Sequence, residues 1–148
     1  MKLLKLSSLL MIIFMFGCGL ATFAQDEPSK TNEMELKKDD RLVVVWTSGD
    51  REVALKMVFM YTYNAKRAGW WKDVTLLVWG PSSKLLSEDK ELQDYVKSMK
   101  EEGVTLLACK ACADMYGVAD KLTEVGVTVK YTGTDLTEFI KKRHVITF

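Results

Sequence analysis

Residues 103–118 read GVTLLACKACADMYGV, and the fold is decided there. Gly103 closes one helical pattern, and Val104 to Ala108 form a short apolar run suited to a buried strand. Cys109-Lys110-Ala111-Cys112 follows at once. A helical pattern then takes over at about 111 and runs to 125, where Gly126 stops it. A strand that turns directly into a helix is half of a crossover unit, and the rest of the chain repeats the alternation.

Upstream, Leu42-Val43-Val44-Val45-Trp46 is a continuous run expected of a strand covered on both faces. Asp50 then caps a helix over 51–68, with Ala54, Met57, Val58, Tyr61, Ala65 and Ala68 as its core stripe and Gly69 as its end. Asp73 to Trp79 is the second strand, broken by Gly80-Pro81. A helix starting near Ser87 buries Leu92, Tyr95, Val96 and Met99. Downstream, Val127 to Tyr131 is a fourth strand. Asp135 and Glu138 form a capping-box-like pair for a short helix, and Val145 to Phe148 is a fifth strand. Five strands separated by four helices force crossover connections. The expected fold is a single three-layer α/β/α domain with a five-stranded, mainly parallel sheet. Strand order does not follow from the pattern.

The ends of the chain read differently. Lys2 and Lys5 precede the apolar run Leu9 to Phe16, and Thr22-Phe23-Ala24 suits cleavage after Ala24. Residues 1–24 are therefore read as a signal peptide, which implies an exported protein, periplasmic or elsewhere in the cell envelope. Lipid anchoring through Cys18 competes with plain secretion, but Met15 and Phe16 are bulky for such a site. In residues 25–40, QDEPSKTNEMELKKDD, nine of sixteen side chains are charged, which is the composition of a flexible polar leader. The domain is then 41–148.

Composition narrows the function. With 21 basic against 20 acidic residues over 148, the chain is not built to bind nucleic acid. There is no P-loop and no G-x-G-x-x-G, so no nucleotide or other cofactor is expected. A zinc site needs four ligands, and only His144 could join Cys109 and Cys112, so no metal is expected.

Ligands of open parallel sheets bind outside the carboxyl ends of the strands. Those ends deliver Trp46 with Ser48 and Gly49, Trp79 with Ser82, Cys109, and Tyr131 with Thr132-Gly133. A thiol thus sits among aromatic residues and small turns. Cys109 stands near a helix N-terminus with Lys110 beside it, and both favour thiolate. Cys112 is either its resolving partner or a small core residue, since Cys112, Met115, Ala119 and Leu122 share one helical face. A closed structural disulfide is the third reading. The downstream cis-proline loop of thioredoxin is missing, because Pro28 and Pro81 are the only prolines.

Taken in order, VVVWTSGD, WGPS, GVTLLACKACADMYGV and VITF resemble the DsrE/DsrF-like (YchN-like, TusD-related) sulfur-relay family over the whole domain. The resemblance implies that Cys109, eight residues before Gly117, forms a persulfide. Cys112 has counterparts in some members only. It also implies sulfur donors and acceptors as partners, proteins or small sulfur compounds, and a trimer or hexamer. The export signal departs from the cytoplasmic relay to tRNA. A second apolar stripe on helix 51–68, Leu55, Phe59 and Tyr63, is read as a subunit contact. The expected function is an exported sulfur carrier or sulfurtransferase with Cys109 and Cys112 as its chemistry. The rival is a non-catalytic oligomeric binding module with a silent CxxC.

Overall fold

The computed structural model describes residues 40–148. The signal peptide, the Cys18 alternative and the leader, apart from Asp40, lie outside the described residues. Asp40 is joined to the domain: its carboxylate meets the Lys72 ammonium at 2.9 Å, and its carbonyl accepts from the Lys72 N–H at 3.1 Å.

Five parallel strands make one sheet: β1 (Arg41–Trp46), β2 (Asp73–Val78), β3 (Thr105–Cys109), β4 (Thr128–Lys130) and β5 (His144–Thr147). Their order is β4-β3-β2-β1-β5, with every neighbouring pair parallel. Val43 to Trp46, Val74 to Val78 and Leu106 to Cys109 are all buried, as continuous apolar runs in a doubly covered sheet should be.

From β1 to β4 the chain steps in one direction across the sheet, and the connecting helices share one face. These are α1 (Arg51–Val53), running through a π-helical stretch Ala54–Phe59 into α2 (Met60–Arg67), then α3 (Pro81–Glu88), α4 (Lys90–Glu101), α5 (Lys110–Tyr116) and α6 (Ala119–Glu124). The step from β4 to β5 runs the other way. A right-handed crossover must then pass over the opposite face, and α7 (Gly133–Lys142) lies there. The packing records this split. Leu42, Val44 and Trp46 join Leu76, Leu106, Ala113 and Leu122 in the large core. Val43, Val45, Leu77 and Leu107 pack with Leu136 and Phe139 of α7 in a small one.

The helices depart from the sequence reading at three places. First, the π-helical stretch turns the first helix away from regular 3.6-residue spacing. Met57 is therefore half exposed, while Phe59 is wholly buried against Trp46 and Tyr95. Leu55 and Tyr63 pack on the same core. The supposed subunit stripe is thus part of the domain's own interior. Second, Pro81 opens α3 rather than ending structure, as a proline in a first turn can. The next helix begins after Asp89, whose carboxylate accepts from the Leu92 N–H. Third, the helix expected over 111–125 is two helices, α5 and α6. They are separated at Gly117, which has a left-handed φ of 65°. The expected stripe is cut there: Cys112 and the 84% exposed Met115 lie on α5, Ala119 and Leu122 on α6.

Candidate active site at the β3–β4 switch point

Cys109 is the last residue of β3 and the N-cap position of α5. The loop after β3 leaves toward one face of the sheet and the loop after β4 toward the other. A crevice must open where neighbouring strands diverge in this way. It does: a cavity of about 360 Å³ is lined by Trp79, Cys109, Ala111, Tyr131 and the Thr132–Thr134 turn.

Strand alternation explains the membership. Trp46, Val78 and Ala108 lie in register and face α1 to α6. The next positions, Trp79 and Cys109, face the α7 side. Trp79 packs with the small core there and stands in the cavity wall. Tyr131 is 69% exposed and forms the rim, with the Lys110 ammonium 5.6 Å above its ring.

The other expected pocket residues are elsewhere. Trp46 is fully buried on the opposite face, edge-on to Phe59 at 4.9 Å between ring centres. Ser82 is buried, and its hydroxyl donates to the Trp46 carbonyl at 2.6 Å while accepting from the Trp79 N–H at 3.1 Å. It knots the ends of β1 and β2 together and is not free to meet a ligand. Ser48 accepts from the Asp50 N–H at 3.1 Å in the turn after β1. That turn is tied to the end of β5, where Thr47 N–H meets the Phe148 carbonyl at 2.8 Å, two strands away from Cys109. Gly49 borders a separate groove of about 270 Å³ with Pro81, Leu85 and Tyr116. Thr134 and Ala111 were missed. Ala111 was findable inside the Cys109–Cys112 run, and Thr134 as the residue next to the Thr132-Gly133 turn.

The two cysteines are free thiols, Cys109 buried and Cys112 partly so. They share a hydrogen bond, and the Gly80 N–H donates to the Cys112 sulfur. Burial pushes the Cys112 thiol above its ordinary value, the Cys109 contact adds to the rise, and the Gly80 N–H opposes it. Cys112 therefore holds its proton to higher pH than an ordinary thiol does. The positive charge expected at Cys109 is spent differently: Lys110 pairs with both Asp114 oxygens, at 2.7 and 2.8 Å. The capping box is also corrected. Asp135 pairs with Lys130 at 3.0 Å and Glu138 with Lys142 at 2.8 Å, so neither caps α7.

Among the described residues no cluster of three or more His, Cys, Asp or Glu could hold a metal ion. No described helix is long and apolar enough to cross a membrane. The site can do nucleophilic sulfur chemistry: one buried thiol opens on a cavity, and a second lies within reach of it.

Comparison with solved structures agrees with this architecture. A conserved protein of unknown function from Bacteroides thetaiotaomicron is 34% identical, with a TM-score of 0.74 over 77% of this chain and 99% of that one. The YchN protein of E. coli shares the fold at 16% identity, with a TM-score of 0.58 over 76% of this chain and 100% of that one. No curated protein matches the chain. A family model covers residues 40–148, from the aspartate before β1 to the last residue after β5, and by that match the chain belongs to the DsrE/DsrF-like family.

Proposed function

We propose that this protein is an exported sulfur carrier that holds sulfane sulfur as a persulfide on Cys109, with Cys112 as the resolving thiol. The observation that carries the reading is the placement of Cys109: a buried thiol at the strand divergence, opening on a cavity and hydrogen-bonded to a second thiol. Sulfur transfer within the family supports it in general terms, and the export signal read in residues 1–24 supplies the compartment.

The chemistry is simple in outline. The Cys109 thiolate attacks a sulfane sulfur, and the donor's leaving group departs with the electron pair of the broken bond. The terminal sulfur then rests in the cavity beside Trp79, with Tyr131 at its solvent-exposed rim. For release, Cys112 attacks the Cys109 sulfur. A Cys109–Cys112 disulfide forms, hydrosulfide leaves, and an external dithiol resets the pair. The raised Cys112 thiol suits this order, because it stays protonated while sulfur is being loaded. Self-association through the exposed Met57, Met60 and Trp70, which replace the stripe the sequence suggested, is part of the reading.

The test is intact mass after incubating reduced protein with polysulfide. Wild type and Cys112→Ser gain reductant-labile sulfur, and Cys109→Ser gains none. Cys112→Ser keeps its sulfur longer than wild type. Full loading of Cys109→Ser would sink the proposal. Two unreactive thiols under the same conditions would leave an oligomeric binding module as the better account.

A further inference from the structure

The cavity that holds Cys109 is also the N-terminal end of α7. That helix has ten residues, begins at Gly133 and takes Thr132 as its N-cap. No side chain caps it. The first-turn N–H groups of an α-helix have no acceptor within the helix, and they carry the positive end of its dipole. Gly133 and Thr134, which contribute two of those groups, stand in the cavity wall.

Thr132 adds an independent sign of a missing ligand. Its side chain is fully buried, lines the same cavity, and its hydroxyl has no hydrogen-bond partner. Buried hydroxyls are normally bonded, so an orphan beside a cavity and a bare helix terminus marks a place where an acceptor belongs. The nearby carboxylates do not oppose a negative guest strongly. Asp135 is tied to Lys130, and Asp114 to Lys110. Trp79 and Ala111 give the cavity apolar lining, and Cys109 lines it as well.

From this arrangement we infer an oxyanion subsite at the start of α7, and a sulfur donor of the thiosulfonate class, of which thiosulfate is the simplest. This rests on the persulfide reading and names its donor. A phosphate or a carboxylate would satisfy the amides equally well. Only a donor that also presents a soft outer sulfur uses the thiol beside them. The oxygens of the sulfonate face the α7 amides and the Thr132 hydroxyl, and the outer sulfur lies against Cys109. The thiolate attacks that outer sulfur and forms a new S–S bond. The bond to the sulfonate sulfur breaks, and its electron pair leaves with sulfite. No other oxidant or reductant is required. The charge that grows on the departing sulfite is met by donors already in place.

The experiment compares thiosulfate with polysulfide on the purified protein, reading intact mass and released sulfite. The expected result is one sulfur on Cys109 for each sulfite released, with added sulfite slowing the thiosulfate reaction. Thr132→Val lowers the ratio of thiosulfate to polysulfide loading rates about tenfold, the size of one lost hydrogen bond to a charged group. Thr132→Ser restores it. Loading from polysulfide with none from thiosulfate, or a ratio unchanged in Thr132→Val, overturns the subsite and leaves the carrier standing. Failure of polysulfide itself to load Cys109 overturns both. The sulfite competition needs no variant, so a poorly folded Thr132→Val does not protect the idea.

Discussion

Cys112 keeps its proton where an ordinary thiol begins to lose it. Burial removes water from around the sulfur, and the hydrogen bond with Cys109 acts in the same direction. A raised thiol value means that the folded state holds a proton the unfolded chain has released. The linked stability is present below the ordinary thiol range and is lost as pH climbs through the raised value. Alkylation of Cys112 near neutral pH is therefore expected to be slower than that of a free cysteine, and to rise only in alkali. Peptide-resolved mass spectrometry across pH measures this, and a Cys112 that reacts as fast as free cysteine at neutral pH contradicts it. Cys109 was legible from its place alone, at the end of an apolar run and the start of a helix. Ser82 was not. Its hydroxyl looks the same in sequence whether it faces a ligand or, as here, joins the ends of two strands.

At the scale of elements, the break between α5 and α6 rests on one backbone conformation. Gly117 has φ 65°, and a Cβ built there meets nothing within 4 Å. The cost of Gly117→Ala is then backbone strain without a clash, about 1–2 kcal/mol. Urea unfolding should show the midpoint falling with an unchanged slope. A neutral substitution would mean that the turn relaxes. The same break cuts the Cys112–Met115–Ala119–Leu122 stripe into a pair on α5 and a pair on α6: a periodicity carried through a left-handed residue counts positions on two different axes. The π-helical stretch Ala54–Phe59 misleads in the same way. Each of its turns takes up more residues than an α turn, so Phe59 arrives on the face that 3.6-residue spacing assigns elsewhere.

Across the whole molecule the two faces of the sheet are unequal. The helical segments from α1 to α6 and most of the core lie on one side. On the other, α7 has no fully buried residue and covers a cluster of four. Layers with few buried contacts open locally before the molecule unfolds. Hydrogen exchange should therefore find α7 amides opening well before those of β1, β2 and β3. Equal protection would show that the thin layer is stabilised by something beyond these contacts. The consequence for the site is direct. Cys109 stands on the well-packed β3, while Thr132 to Thr134 begin the thin layer, so the same exchange experiment should find the α7 part of the cavity wall opening before the strand that carries the thiol.

The five strands, their alternation with helical segments, the parallel sheet and the thiol at the end of β3 were readable from the chain, because each is set by local pattern: apolar runs, capping residues and crossover lengths. Asp50 shows how local this is, since its carboxylate caps the helix two and three residues on, at 2.7 and 3.0 Å. What only the tertiary structure decided is which strand ends meet. Trp46 and Trp79 are equivalent in sequence, each an aromatic closing a strand. Register places Trp46 level with Val78 and Ala108, on the face away from the thiol, and puts Trp79 one step further, beside Cys109. Strand order and register arise from contacts between distant parts of the chain. The reversal that sends α7 over the opposite face, and so opens the cavity between β3 and β4, is a property of the assembled sheet.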